Sequence, residues 1–158
     1  MAGRATSGLP WSVFEPGWTT NWQQEGYGVV TDPSIVSHTK KHFDSQMNPT
    51  YFDNPTEINN DVYTGSKIRI PYPGETGQRN RFRGDGYLDL DSGVTKAWTL
   101  GRYGALKFAW EVFNVTNSVR FNDNPLYFGT QLTGGNLGTY SAMQNLPRRM
   151  QFGLRYDF

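Results

Sequence analysis

The stretch "MQFGLRYDF" at 150–158 alternates without a break. Met150, Phe152, Leu154, Tyr156 and Phe158 share one parity, and Gln151, Gly153, Arg155 and Asp157 share the other. Successive side chains of an extended chain point to opposite faces, so this reads as a strand with one apolar and one polar face. Two upstream stretches repeat the pattern. "YLDLDSGVTKAW" at 87–98 sets Leu88, Leu90, Val94 and Trp98 against Asp89, Asp91, Gly93 and Thr95. "ALKFAWEVF" at 105–113 sets Leu106, Phe108, Trp110 and Val112 against Lys107, Ala109 and Glu111. The spacing predicts consecutive antiparallel strands over 87–98, 105–113 and 148–158, with their apolar faces on one side. A short turn at 99–104 joins the first pair, and a long Asn- and Gly-rich connection at about 114–147 joins the second.

Residues 1–86 lack this regularity. They are rich in Gly, Pro, Trp and polar residues, so they read as a long loop with a partial strand near 11–14. A short helix over 35–43 is the one helical pattern there. Most of 15–80 is expected to be irregular, leaving from the same end of the sheet as the 114–147 connection. Loops of this length usually carry function.

Composition agrees with an all-β chain. Of 158 residues, 36% are hydrophobic and 15% aromatic, with 18 glycines, which suits strands and turns better than a helical bundle. Mean hydropathy is −0.64, lean for a soluble core. A formal net charge of +1 gives no electrostatic case for nucleic acid or anionic lipid. Without cysteine, disulfides and thiolate metal sites are excluded. No apolar run approaches the roughly 20 residues of a membrane helix, but a membrane strand needs only about 9–11 alternating residues.

One apolar and one charged face fits two architectures. A soluble β-sandwich buries the apolar face in a core, whereas a transmembrane barrel turns it to lipid and the polar face to the lumen. Strand length, the long–short–long order of connections, and aromatics near strand ends (Trp98, Tyr103, Tyr156, Phe158) favour the barrel. The alternative is a sandwich binding module, with carbohydrate as a candidate ligand.

Several segments, in order, resemble the late barrel of TonB-dependent outer-membrane receptors of the Oar-like, carboxypeptidase-regulatory-like type. "RATSGLPWSV" resembles the SG-x-P segment after an ascending strand. "GETGQRNRFRGDGYLDLDSGVTKAW" is similar to the approach to the antepenultimate strand. "FAWEVFNVTNSVRF" resembles the E-x-F-N-x-x-N penultimate strand, and "LPRRMQFGLRYDF" the closing one. The resemblance implies a C-terminal portion of a transmembrane β-barrel in the bacterial outer membrane, with long extracellular loops. In this reading 1–86 is mainly loop and 87–158 the last three strands. Receptors of this kind use about 22 strands around a plug. Neither those strands nor a plug, a TonB box or a leader is found in the 158 residues. The expectation is therefore a piece of a longer ligand-uptake receptor, not functional alone. The implied partners are the lipid bilayer, the barrel-assembly machinery, the remaining strands and plug, and TonB through regions outside this sequence. Met150, Phe152, Leu154, Tyr156 and Phe158 would face lipid and serve as the assembly signal.

Other chemistry has plainer readings. His38 and His42 stand four apart with Asp44 nearby, but flanking Lys40 and Lys41 favour a solvated loop over a metal site. Asp89 and Asp91 share a face and could pair as carboxylates; lumen-facing charge in a wide barrel explains them more simply. "RGDG" at 83–86 reads as a turn before an adhesion motif, and "GETG" at 74–77 lacks the GK[ST] of a phosphate loop. Asn114-Val115-Thr116 matches a glycosylation sequon. Trp11, Trp18 and Trp22 form the candidate ligand-contact loop, with packing inside the loop as the alternative. No cofactor and no enzymatic activity are expected.

Overall fold

The computed structural model describes residues 1–15, 26–36, 42–58, 67–126 and 128–158, with no side-chain description at 56 and 57. The chain divides into two compact units. The first comprises Met1–Ser7, Gly86–Arg120 and Gln144–Phe158; the second comprises Gly8–Asp85 and Phe121–Met143.

The first unit is a four-stranded antiparallel sheet of β1 (Ala2–Thr6), β2 (Tyr87–Thr99), β3 (Ala105–Phe113) and β4 (Arg149–Asp157), in that spatial order. The three alternating stretches thus become strands within a residue of their expected bounds. β1 is additional: its partners run from Ala2 opposite Asp91 to Thr6 opposite Tyr87. Its sequence, AGRAT, is too small and too short to announce a strand. Gly3 and Ala5 lie opposite Leu90 and Leu88, where small residues sit beside large ones.

The turn between β2 and β3 is short because its glycines allow it. Gly101 and Gly104 have φ of +61° and +106°, a region open to glycine at little cost. The Leu100 N–H donates to Gly104 O at 2.8 Å. A Cβ on Gly104 would stand 2.1 Å from Asp157 O. At the other end of the sheet, Thr6 meets Tyr87, and Phe113 meets Arg149. Both long connections therefore leave the sheet at this end.

The second unit departs from the long-loop expectation. Its regular structure is sparse, but it has a core. Two-residue antiparallel ladders pair Pro10–Trp11 with Phe82–Arg83, Phe14–Glu15 with Gly26–Tyr27, Val29–Val30 with Ile68–Arg69, and His42–Phe43 with Pro49–Thr50. Trp11, Tyr51, Phe52, Phe82 and Phe128 pack there with Ile68, Leu132 and Leu137. Trp11 stacks on Phe82 at 4.8 Å and meets Tyr51 and Phe128 edge-on at 4.9 and 4.7 Å, geometries that aromatic quadrupoles favour. Burial pushes the Tyr51 hydroxyl up to about 12. The helix expected over 35–43 is replaced by a 3₁₀ turn at Pro33–Val36 and the strand His42–Phe43; residues 37–41 lie outside the described residues. The only α-helical turn among the described residues is Pro55–Ile58.

Candidate functional site

The sheet register decides what each face presents. Across β2, β3 and β4, Trp98, Leu106 and Tyr156 align, as do Lys96, Phe108 and Leu154; Val94, Trp110 and Phe152; and Ser92, Val112 and Met150. The apolar residues of all three strands therefore share one face. Trp110 and Phe152 stack with centroids 6.1 Å apart and planes 3° apart, a cross-strand aromatic pair of the stabilising kind. This face stays open: Phe152 is 66% and Leu154 71% exposed. Phe158 lies one residue beyond β4, fully exposed, with its ring stacked on Tyr156 at 6.1 Å. A contiguous uncovered apolar surface of this kind needs a non-aqueous neighbour.

The opposite face is polar. Arg4 stands opposite Asp89, Glu111 opposite Gln151, and Lys107 opposite Arg155. The last pair is like-charged, and Asp157 offsets it by accepting from Arg155 Nε at 2.6 Å. A cleft of about 300 Å³ opens on this face at the end away from the short turn. Tyr87, Asp89, Asp91, Asn114, Asn145 and Arg149 are among its walls. Tyr87 donates its hydroxyl to Asp89 Oδ2 at 2.7 Å, while Asp89 Oδ1 is buried without a hydrogen-bond partner among the described residues. Asp91 Oδ1 accepts the Asn114 N–H at 2.9 Å. The two carboxylates thus belong to polar-face networks, and each has its own donor.

Asn114 organises the cleft's rim. It has φ of +53° and is buried. Its Nδ2 donates to Ser118 O and Leu146 O, both at 3.0 Å, and its Oδ1 accepts the Ser118 N–H. Asn117 Oδ1 accepts the Arg148 N–H, and Asn145 Oδ1 accepts the Arg120 N–H. These amides tie the end of β3 to the start of β4. With both Nδ2 bonds made and the side chain buried, Asn114 is a structural clamp, not a glycosylation acceptor.

These two faces, one open and apolar and one polar, are what a strand layer between lipid and an aqueous lumen requires. A family model described as an outer membrane beta barrel domain matches residues 2–151. The chain belongs to this outer-membrane β-barrel family. Among curated proteins and among solved structures, nothing matches. This outer-membrane barrel segment is all-β with antiparallel strands, its place is the outer membrane, and the sandwich reading falls away. Among the described residues no helix is long and apolar enough to cross a membrane; here strands do so.

The remaining candidates are relocated. Trp11 is 7% exposed inside the aromatic core, so it is corrected from ligand contact to packing residue. Trp18, Trp22 and His38 lie outside the described residues. His42 Nδ1 stands 3.1 Å from Asp53 Oδ1, while Asp44 accepts the N–H groups of Gln46 and Asn48, so the His and Asp of the imagined metal cluster have separate partners. In the RGDG segment, Arg83 pairs with Pro10, and Gly84 donates its N–H to Leu9 O at 2.9 Å. A Cβ on Gly8 would stand 1.6 Å from Gly84 O, which explains the glycine of "SGLP". The RGDG stretch is therefore a ladder partner of the SGLP stretch, not a displayed loop tip. Sequence reading missed the Asn114–Asn145 amide network; Asn114 stood out there only as part of the Asn-Val-Thr motif.

Proposed function

We propose that the chain is a section of the barrel wall of a TonB-dependent, Oar-like receptor, and that it serves ligand uptake across the outer membrane without chemistry on the ligand. The observation that carries this reading is the ordered set of segments from "SGLP" through "E-x-F-N-x-x-N" to "MQFGLRYDF", mapped onto four antiparallel strands with a shared lipid face. Four strands have open edges, and unpaired backbone groups in lipid are costly, so the wall is completed by further strands. In this reading those strands and a plug come from the same receptor, TonB energises it, and the assembly machinery inserts it.

The test uses an antibody against this chain on outer membranes of the producing cell. The expected antigen is a heat-modifiable polypeptide much larger than 17.9 kDa that co-purifies with TonB. A 17.9-kDa antigen forming barrels without TonB would overturn the reading.

A further inference from the structure

Lys96 stands where a cation is unexpected. The register aligns it with Phe108 and Leu154 on the lipid face, between Val94 and Trp98 of its own strand. It is exposed. A lysine at the bilayer midplane of a barrel's lipid face is costly, and the cost falls close to zero at the interface. Three residues separate Lys96 from the end of β2, roughly 10 Å at strand rise. The aliphatic stem of a lysine crosses most of that distance, bringing the ammonium to the interface.

The end it reaches is already marked as an interface. Trp98 and Tyr156 occupy the neighbouring rung. Tyr156 donates its hydroxyl to Tyr103 O, which ties the aromatic pair to the turn. Arg102, exposed in the same turn, lies over the Tyr103 ring with Cζ 5.0 Å from its centroid, and its Nη2 donates to the Tyr103 hydroxyl at 2.8 Å. Lys96, near the end of β2, and Arg102, in the turn that follows, are thus two exposed cations on the stretch that carries Trp98 and Tyr103. Short turns of outer-membrane barrels face the periplasm, where the leaflet consists of phospholipid.

We propose that Lys96 and Arg102, framed by Trp98, Tyr103 and Tyr156, bind the phosphate of an anionic phospholipid headgroup in the periplasmic leaflet. The lipid's acyl chains then lie along Phe108, Leu154 and Phe152. Charge complementarity selects the headgroup, and the apolar rungs select an occupant with hydrocarbon tails over free phosphate.

The test uses the full-length protein from outer membranes, placed in nanodiscs of phosphatidylcholine containing phosphatidylglycerol, then delipidated stepwise and weighed by native mass spectrometry. Wild type should retain phosphatidylglycerol several-fold over phosphatidylcholine. K96M/R102Q should lose that preference, K96R should keep it, and R102Q, altered only in the exposed turn, should weaken it. Heat-modifiable mobility confirms that each variant is folded. Equal retention by wild type and K96M/R102Q would overturn the proposal, as would no headgroup preference in wild type. Selective displacement of the bound lipid by glycerol phosphate or by lipopolysaccharide would overturn it too, because the site would then read a free phosphate or the outer leaflet.

Discussion

Single residues show how face assignment becomes energy. Leu154 and Arg155 are neighbours, yet the register puts the first beside Phe108 in lipid and the second beside Lys107 and Asp157 on the luminal side. Leu154 shares the rung of Lys96, so Leu154→Arg should cost less than the about 2–4 kcal/mol of a midplane cation but still lower the folded yield. Arg155→Leu should be far milder, since it also removes a like-charge contact. The yield of heat-modifiable folded barrel in membranes, compared between the two variants of the full-length protein, checks this. Equal yields would mean the faces are misassigned. A second residue-scale prediction concerns pH. Arg69 donates to both Glu75 oxygens, at 2.7 and 2.9 Å, and these bonds hold the Glu75 carboxyl down to about 2. The Tyr72 N–H adds a third bond. A depressed folded value means that the pairing stabilises above the ordinary carboxyl value of 4.5 and is lost as pH falls through about 2. Proteolysis of the segment around 67–78 by an acid-tolerant protease should therefore accelerate on going from pH 5 to pH 2. Glu75→Gln should cut as fast at pH 5 as wild type does at pH 2.

At the scale of elements, the turn between β2 and β3 is a demanding position. Gly104 combines positive φ with contact against Asp157 O. Gly104→Ala should strain the turn and shift the edge of β4 together. The expected readout is a lower unfolding midpoint in urea than Gly101→Ala, because a Cβ at Gly101 meets nothing within 4 Å. Equal midpoints would show that φ alone limits the turn. The three long strands were legible because each carries its own period-two pattern, and the turn because its glycines interrupt that pattern. β1 was not legible: Ala2, Gly3 and Ala5 are small, and the strand exists because β2 offers an edge. The Asn114 clamp was visible only as a motif. Its role depends on Ser118, four residues on, and on Leu146, which the chain brings back after a long excursion. Trp11 was misread for the same reason, since nothing local marks Phe82 and Phe128 as its neighbours.

For the whole molecule, the chain divides into two compact units. The sheet needs lipid on one face, whereas Gly8–Asp85 with Phe121–Met143 carries an aromatic core of its own. The sequence alone made most of that second body look like irregular loop, because it lacks periodicity. Its backbone bonds argue otherwise. Tyr51 donates its N–H to Gly138 O at 2.7 Å, Leu132 to Phe14 O at 2.8 Å, and Gly28 to Val13 O at 2.9 Å. Tyr51 and Leu132 are among the most deeply buried residues. These bonds join segments far apart in sequence, so they open only if the core opens, and slow exchange follows. Phe82 is 1% exposed and contacts Trp11, Tyr51 and Phe52. Truncating it to Ala should cost about 3–5 kcal/mol. Hydrogen exchange on the full-length protein in nanodiscs should show Phe82→Ala releasing the amides of Tyr51, Leu132 and Gly28 together. The amides of β2 and β3, held by their own ladder, should keep their wild-type rates. If those strands are released to the same extent, the two units unfold as one. If Tyr51 and Leu132 exchange within seconds in wild type, the core is not a folded body, and these segments are loops after all.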